Sequence, residues 1–382
     1  MDNVKDYKYQ LIFFGDDYEL FDSIYKIVVK RLEELNFLMD AFIVYKNIEA
    51  HIYDNKQPVF IIYSSKNKKL DERLESLIRI HKMQGNPILP LYNNNFINEV
   101  CDELIEYNGE YKSNVDQIAN IILEGFDLLR RRRRVFISYK RNESKNFALQ
   151  LYNDLEARNY DVFLDTHSVG KAKLFQEDLW HEMSDSDVVV LLNTPGFLDS
   201  KWCKEELAKA ESLRINVLRI DFSKSSLKNE DLGLTFFVNV GKVNKCKVVK
   251  KEVFNEIALS IERLRARSLA SRHDTLVSEL IHCGRDYGKV IVRTTYKTLQ
   301  YIDPTGKTSL FVPAIGVPTS VDFQQAEKYA EYFKENNNDK LLLVYDSTCI
   351  NKCWDEHLDW LTAQLKVKSL KKTSFTEWFS NN

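Results

Sequence analysis

The chain has 382 residues, 44% of them apolar, and a formal net charge of -2 at pH 7. That length exceeds one ordinary domain, so two or three hydrophobic cores are expected. The near-neutral balance excludes a global electrostatic pull toward nucleic acid or membrane, and no apolar run approaches the roughly 18 residues that span a bilayer.

The opening residues, Met1 to Asp6, lack a basic-then-apolar leader pattern. Six scattered cysteines do not make a disulfide framework. A cytoplasmic protein is the simplest expectation.

Residues 1–130 alternate strand and helix signals. Apolar runs at Tyr9 to Phe14, Ala41 to Tyr45, Pro58 to Tyr63 and Pro87 to Tyr92 are separated by charged helical stretches. The clearest of these has Leu20, Ile24, Ile27, Val28, Leu32 and Leu35 on one stripe. Fully apolar strands between helices predict a parallel sheet covered on both faces, so a flavodoxin-like or receiver-like domain is expected, or a degenerate copy of the domain that follows. Asp16 and Asp17 after the first run read as an acidic helix cap or as an acid pocket. Arg130 to Arg134 then place five cations in a row. Their repulsion predicts a solvated basic junction, and the lack of interleaved aromatics argues against a nucleic-acid patch.

Residues 131–267 continue the alternation. Val135 to Tyr139, Tyr160 to Asp165, Asp187 to Asn193, Asn216 to Phe222 and Thr235 to Val240 read as strands. Ser144 to Arg158, Leu174 to Met183, Lys201 to Arg214 and Val253 to Leu264 read as helices. Five parallel strands with helices on both faces predict a flavodoxin-like sheet, in which ligands sit beyond the carboxyl ends of the strands. Tyr139 to Arg141, Asp165 to Lys173 and Asn193 to Glu206 fall at that edge.

Residues 268–382 change character and predict an α+β domain. Leu269 to His282 is helical and Lys289 to Gln300 strand-like. Asp303-Pro304-Thr305-Gly306 is a turn, and Thr308 to Ile315 returns as a hairpin partner. A helix over Val321 to Asn336, a strand over Lys340 to Tyr345 and a helix over Ile350 to Leu365 follow. Cys349, Cys353 and His357 are spaced by four, as on one helical face. Zinc would need a fourth ligand, for which His282 or Cys283 offers itself; an ordinary core stripe with Trp354, Leu358 and Leu361 is the simpler reading, and no metal is expected.

The "FISYKR" opening at Phe136 to Arg141, the "FLDTHSVGKAKLF" loop, the "SDSDVVVLLNTPGFLDS" strand and the "SKWCKEEL" helix start together resemble a TIR (Toll/interleukin-1 receptor) domain of the bacterial type. The resemblance covers the middle third of the chain. Enzymatic members of that family cleave the glycosidic bond of NAD between ribose and nicotinamide, giving ADP-ribose or a cyclised product. Their catalytic carboxylate lies four residues after a tryptophan, which here points to Trp202 and Glu206. Glu205 is one step off and turned about 100° away on the helix.

Nicotinamide leaves as a neutral ring, so no general acid is needed and NAD enters as substrate, with no cofactor. A carboxylate near the ribose stabilises the positive charge developing there. The resemblance further implies that Phe136, Ser138, Lys140 and Arg141 line the pocket, with the two cations on the pyrophosphate. It implies that Trp202 closes over the nucleotide and that the loop Thr166 to Lys173, in which Gly170 permits an unusual backbone, corresponds to the family's mobile loop. Lys171 and Lys173 depart from the family's usual proline and acidic residues in that loop. Other family members are adaptors that only associate. The family also implies a homo-oligomer formed through TIR–TIR contacts, switched on by an unknown signal or partner, in an antiviral setting, and position beside such a domain implies a sensing or oligomerising role for residues 268–382.

Overall fold

The structure is a computed structural model. It describes residues 8–35, 37–47, 49, 57–66, 68, 71–164, 175–194, 196–197, 201–222, 234–237, 248–294, 297–332 and 338–382. Two compact units divide at residue 131.

The first unit follows the alternation read from its sequence: β1 (Tyr9–Gly15), α1 (Tyr18–Glu34), β2 (Phe42–Lys46), β3 (Val59–Ser64), α2 (Glu72–Met83), β4 (Ile88–Tyr92), α3 (Phe96–Glu99), β5 (Glu110–Tyr111) and α4 (Val115–Gly125). The sheet order is β2-β1-β3-β4-β5 with all pairs parallel. This doubly wound order reverses direction between β1 and β3, the switch point at which such sheets open a crevice. Burial explains the legible part: every residue of β1 and β3 is buried, and α1 turns Phe21, Ile24, Val28 and Leu32 inward. The two-residue β5 has no apolar run to announce it.

At the switch point Gly15 adopts a φ of +130°, and a Cβ there would lie 1.9 Å from the Ser64 carbonyl oxygen. Only glycine lets the two strand ends approach so closely. Asp17 occupies the cap position of α1, yet its side chain makes no capping bond. Instead Asp17 Oδ2 accepts from Lys112 Nζ at 3.1 Å and from Ser64 Oγ at 3.3 Å. Asp17 thus stands at the cap position while its carboxylate serves an ion pair with Lys112, which follows directly on β5 and reaches back across the edge.

The second unit opens with β6 (Arg134–Tyr139), α5 (Arg141–Glu156), β7 (Asp161–Leu164), α6 (Phe175–Ser184), β8 (Val188–Asn193), α7 (Lys201–Ser212), β9 (Asn216–Asp221) and β10 (Leu234–Phe237). Its sheet order, β10-β9-β8-β6-β7, is again parallel throughout and wound in the same way. Alternate residues of β6 face opposite layers. Val135, Ile137 and Tyr139 pack with Phe147 and Leu151 of α5, while Phe136 packs with Leu179, Met183 and Cys203 of α6 and α7.

The arginine run is a solvated junction only in part: Arg131 and Arg132 are exposed, but Arg133 and Arg134 are buried. Arg134 meets Asp161 at 3.1 Å, Glu182 at 2.7 Å and also Asp185, and Arg132 meets Asp161 at 2.7 Å. Three carboxylates gathered at the amino edge of this sheet offset the mutual repulsion of the arginines.

The helices expected at Val253 to Leu264 and Leu269 to His282 are one, α8 (Lys251–Asp286). Nothing in Arg265 to Ser268 breaks a helix, and both halves have a core to enter. Ile257, Ile261 and Leu264 pack on the middle sheet, and Leu276, Val277 and Leu280 on the third. The boundary expected at residue 267 thus falls inside α8, and residues 132–382 form one compact unit.

The third sheet contains β11 (Ile291–Arg293), β12 (Leu299–Ile302), β13 (Thr308–Pro313), β14 (Asn338–Tyr345) and β15 (Lys368–Lys371), with α9 (Ser320–Tyr332), α10 (Lys352–Gln364) and α11 (Phe375–Asn381). β11, β12 and β13 pair antiparallel, and β13, β14 and β15 pair parallel. The strand expected over Lys289 to Gln300 is split into β11 and β12, and Thr294 and Thr298 between them are hydrogen-bonded to each other. Cys349 lies before α10 rather than on it, and the His357 ring stands near Trp354 and Trp360. No three metal-ligating groups gather among the described residues.

Asn351 joins this part to α6. Its Oδ1 caps α10 by accepting from the Trp354 N–H at 2.9 Å, its Nδ2 donates to Asp178 Oδ1 at 3.1 Å, and its N–H donates to His181 Nδ1 at 3.3 Å. Asn351→Ala is expected to cost about 1–2 kcal/mol, read as a lower urea midpoint by tryptophan fluorescence. All five tryptophans lie at or beyond residue 180, so that signal reports this unit alone.

Candidate functional site

At the carboxyl edge of the middle sheet, β6 ends in Ser138 and Tyr139, and α5 begins at once with Lys140 as its cap and Arg141 as its first residue. Ser138 shares the β6 face of Phe136, one step nearer the edge. Opposite it, α7 buries Cys203, Glu206 and Ala210 as a single stripe. Glu206 therefore takes a core position of its helix and is only 2% exposed. Its Oε2 accepts a short hydrogen bond from Ser138 Oγ. Burying a carboxylate is costly unless polar partners meet it, and the serine at the strand end meets that need.

The other expected residues divide. Trp202, half-buried, stands in the first turn of α7, four residues before Glu206 and hence on the same side of the helix. Glu205 points elsewhere and pairs with exposed Lys201 at 3.5 Å. Phe136 is fully buried, its ring stacked on Phe163 at 5.2 Å. It supports the floor beneath Ser138 and does not itself reach the edge. Gly170 and the loop Thr166 to Lys173 lie outside the described residues.

Lys140 is engaged by Glu143, one helical turn on, at 2.6 Å. The Glu143 carboxylate also accepts from the Gly196 N–H at 3.1 Å, tying the start of α5 to the segment after β8. The Lys140 ammonium beside it holds the Glu143 carboxyl down at about 2. Arg141 has Nε and Nη2 buried without a hydrogen-bond partner among the described residues, so its guanidinium is available to an anion.

A further buried set was not singled out in the sequence. Asn193, at the end of β8, donates to Asp221 at the end of β9, and Asp221 also receives Arg219 Nη2 at 2.9 Å. A polar residue closing the run Val188 to Leu192, and a charged pair inside β9, were the available signals. The set fixes the neighbouring strand ends in register.

A family model described as TIR domain matches residues 135–242. The match spans the edge just described, from β6 through α7 to β10. Residues 135–242 are a TIR domain.

No curated protein matches the chain. Similar solved structures include a tagatose-6-phosphate ketose/aldose isomerase from Escherichia coli, at 11% identity over 70% of this chain and 83% of that one, with a TM-score of 0.20. A periplasmic sugar binding protein from Legionella pneumophila follows at 11%, 67%, 93% and 0.19. A leucine binding protein from Thermotoga maritima gives 12%, 80%, 97% and 0.20. Overlaps this low carry nothing over to this chain. No helix among the described residues is long and apolar enough to cross a membrane.

Proposed function

We propose that the TIR domain is a NAD glycohydrolase that releases nicotinamide and leaves ADP-ribose or a cyclised ADP-ribose. The observation that carries this reading is Glu206, a carboxylate in a core position, held by Ser138 at the sheet's carboxyl edge. In the proposed reaction the ribose sits against Glu206, and the bond between ribose C1 and the pyridinium nitrogen breaks with its electron pair going to nicotinamide. The developing oxocarbenium charge is stabilised by the fixed carboxylate. Ser138 fixes the rotamer of Glu206, Trp202 covers the ribose, and Arg141 and Lys140 meet the pyrophosphate. The product is ADP-ribose when water attacks C1, and a cyclic species when an atom of the same nucleotide does.

Family resemblance supports a homo-oligomer in which TIR–TIR contact completes the site, in a cytoplasmic antiviral role. The test is incubation of the purified chain with NAD over a range of protein concentrations, with chromatography of the products. Nicotinamide release with a specific rate that rises with concentration is expected. No turnover at any concentration, together with binding to another TIR protein, would replace this reading with that of a scaffold. A specific rate independent of concentration would remove the assembly step alone.

A further inference from the structure

The first unit carries its own crevice. A cavity of about 470 Å³ lies over the carboxyl ends of its strands, lined by residues that follow four of them: Asp17 after β1, Ser65, Lys66 and Lys68 after β3, Asn93, Asn94, Asn98 and Glu99 after β4, and Lys112 after β5. It sits beside the β1/β3 switch point, where doubly wound sheets hold ligands, and its size suits a small metabolite.

Most of its charges are already matched. Lys112 pairs with Asp17 at 3.1 Å and Lys68 with Asp102 at 2.7 Å. Glu99 accepts from the backbone N–H groups of Asn93, Asn94 and Asn95 at 2.7, 2.8 and 2.9 Å, which holds its carboxyl below the usual range. Four groups remain. Among the described residues the Lys66 ammonium has no partner, and neither do the side-chain amides of Asn93, Asn94 and Asn98.

We propose that this crevice binds a phosphorylated sugar, with Lys66 on the phosphate and the asparagine amides on the hydroxyls. One free cation and no free carboxylate select an anion. Each carboxamide both donates and accepts, as each sugar hydroxyl does. Among the described residues the lining holds no aromatic ring on which a nucleobase could stack. Glu99 stiffens the segment that bears the amides, and the Lys112–Asp17 pair closes the floor. This ligand is separate from the NAD reading, and its test needs no NAD.

The sugar phosphate has two sources, a free metabolite or the ribose phosphate end of a nucleotide. Calorimetric titration of the full chain with ribose 5-phosphate, AMP, inorganic phosphate and ribose separates them. Ribose 5-phosphate is expected to bind, inorganic phosphate at least about tenfold more weakly, and ribose not at all. AMP binding as tightly as ribose 5-phosphate would assign the nucleotide source, and weaker AMP binding the free metabolite. Lys66→Gln removes an exposed side chain and should raise the Kd at least about tenfold by loss of a charge-assisted bond. Asn94→Ala should raise it severalfold, and Lys140→Gln, at the TIR edge, should leave it unchanged. The proposal is overturned if no sugar phosphate binds, or if Lys66→Gln binds like the parent chain.

Discussion

Glu206→Gln is expected to lower nicotinamide release at least about 100- to 1000-fold, the scale of removing one preorganised electrostatic group from a reacting centre, while leaving the fold intact. The amide has the shape of the carboxylate and its oxygen can still accept from Ser138 Oγ. It carries no charge, so both the cost of burying a charge and the power to stabilise a ribosyl cation disappear. The folded chain should therefore be as stable as the parent or slightly more so, which a thermal melt would read. Glu205→Gln is the matched control. That carboxylate is one residue away and among the described residues pairs with an exposed lysine, an interaction of small worth, so turnover should stay within about twofold. Undiminished release from Glu206→Gln would reject the assignment of the carboxylate. A parallel loss in both variants would show that the whole start of α7, and not one charge, matters.

The candidate site was legible in part because its chemistry is local in sequence. Trp202 and Glu206 sit one helical turn apart, so the count of four residues places them on one side of α7 without any tertiary information. What the count cannot supply is the partner across the fold. Ser138 is 68 residues earlier, and only the parallel register of β6 with β8 brings its hydroxyl under the helix. Phe136 shows the opposite failure. It belongs to the same opening motif, but the two-residue strand period sends it into the floor. Glu143 was invisible for a third reason: its role depends on the Gly196 N–H beyond β8, a contact between two loops that no periodicity encodes.

The architecture divides along the same line. The two parallel sheets announce themselves through buried strands that read as unbroken apolar runs. In the third sheet β15 exposes or half-exposes all but Leu370, and β11 exposes two of its three residues. Neither has an apolar run to find. The sequence also shows two helical stretches around Arg265 to Ser268 where the chain makes one helix, because charged residues there interrupt the apolar stripe. The interruption is only in polarity. Arg265 is fully buried, and its charge is matched inside the protein.

That residue carries the largest expected effect on stability. Arg265 Nη1 donates to Glu262 at 2.9 Å and its Nε to Asp187 at 3.3 Å, and Glu262 in turn accepts from the Tyr160 hydroxyl. Burial pushes the Tyr160 phenol well up, so it remains a donor. Burial alone would raise the Glu262 carboxyl above its ordinary value of 4.5, but the charges of Arg265 and Arg133 reverse that and hold it below. A lowered folded value contributes stability above 4.5 that disappears as pH falls through it. Arg265→Met fills the same space without charge and leaves two buried carboxylates facing an apolar side chain, an expected loss of about 3–5 kcal/mol. With the arginine gone, burial dominates, the folded value of Glu262 rises above 4.5, and the carboxylate then opposes folding more strongly as pH increases. The deficit of the variant should accordingly be largest near pH 8 and shrink toward pH 5, read as the urea midpoint by tryptophan fluorescence. Adding Glu262→Gln to Arg265→Met should recover part of the loss at pH 8 and less of it at pH 5. A deficit equal at both pH values would mean that Arg265 anchors α8 by packing alone and that the charge of Glu262 is held by other groups.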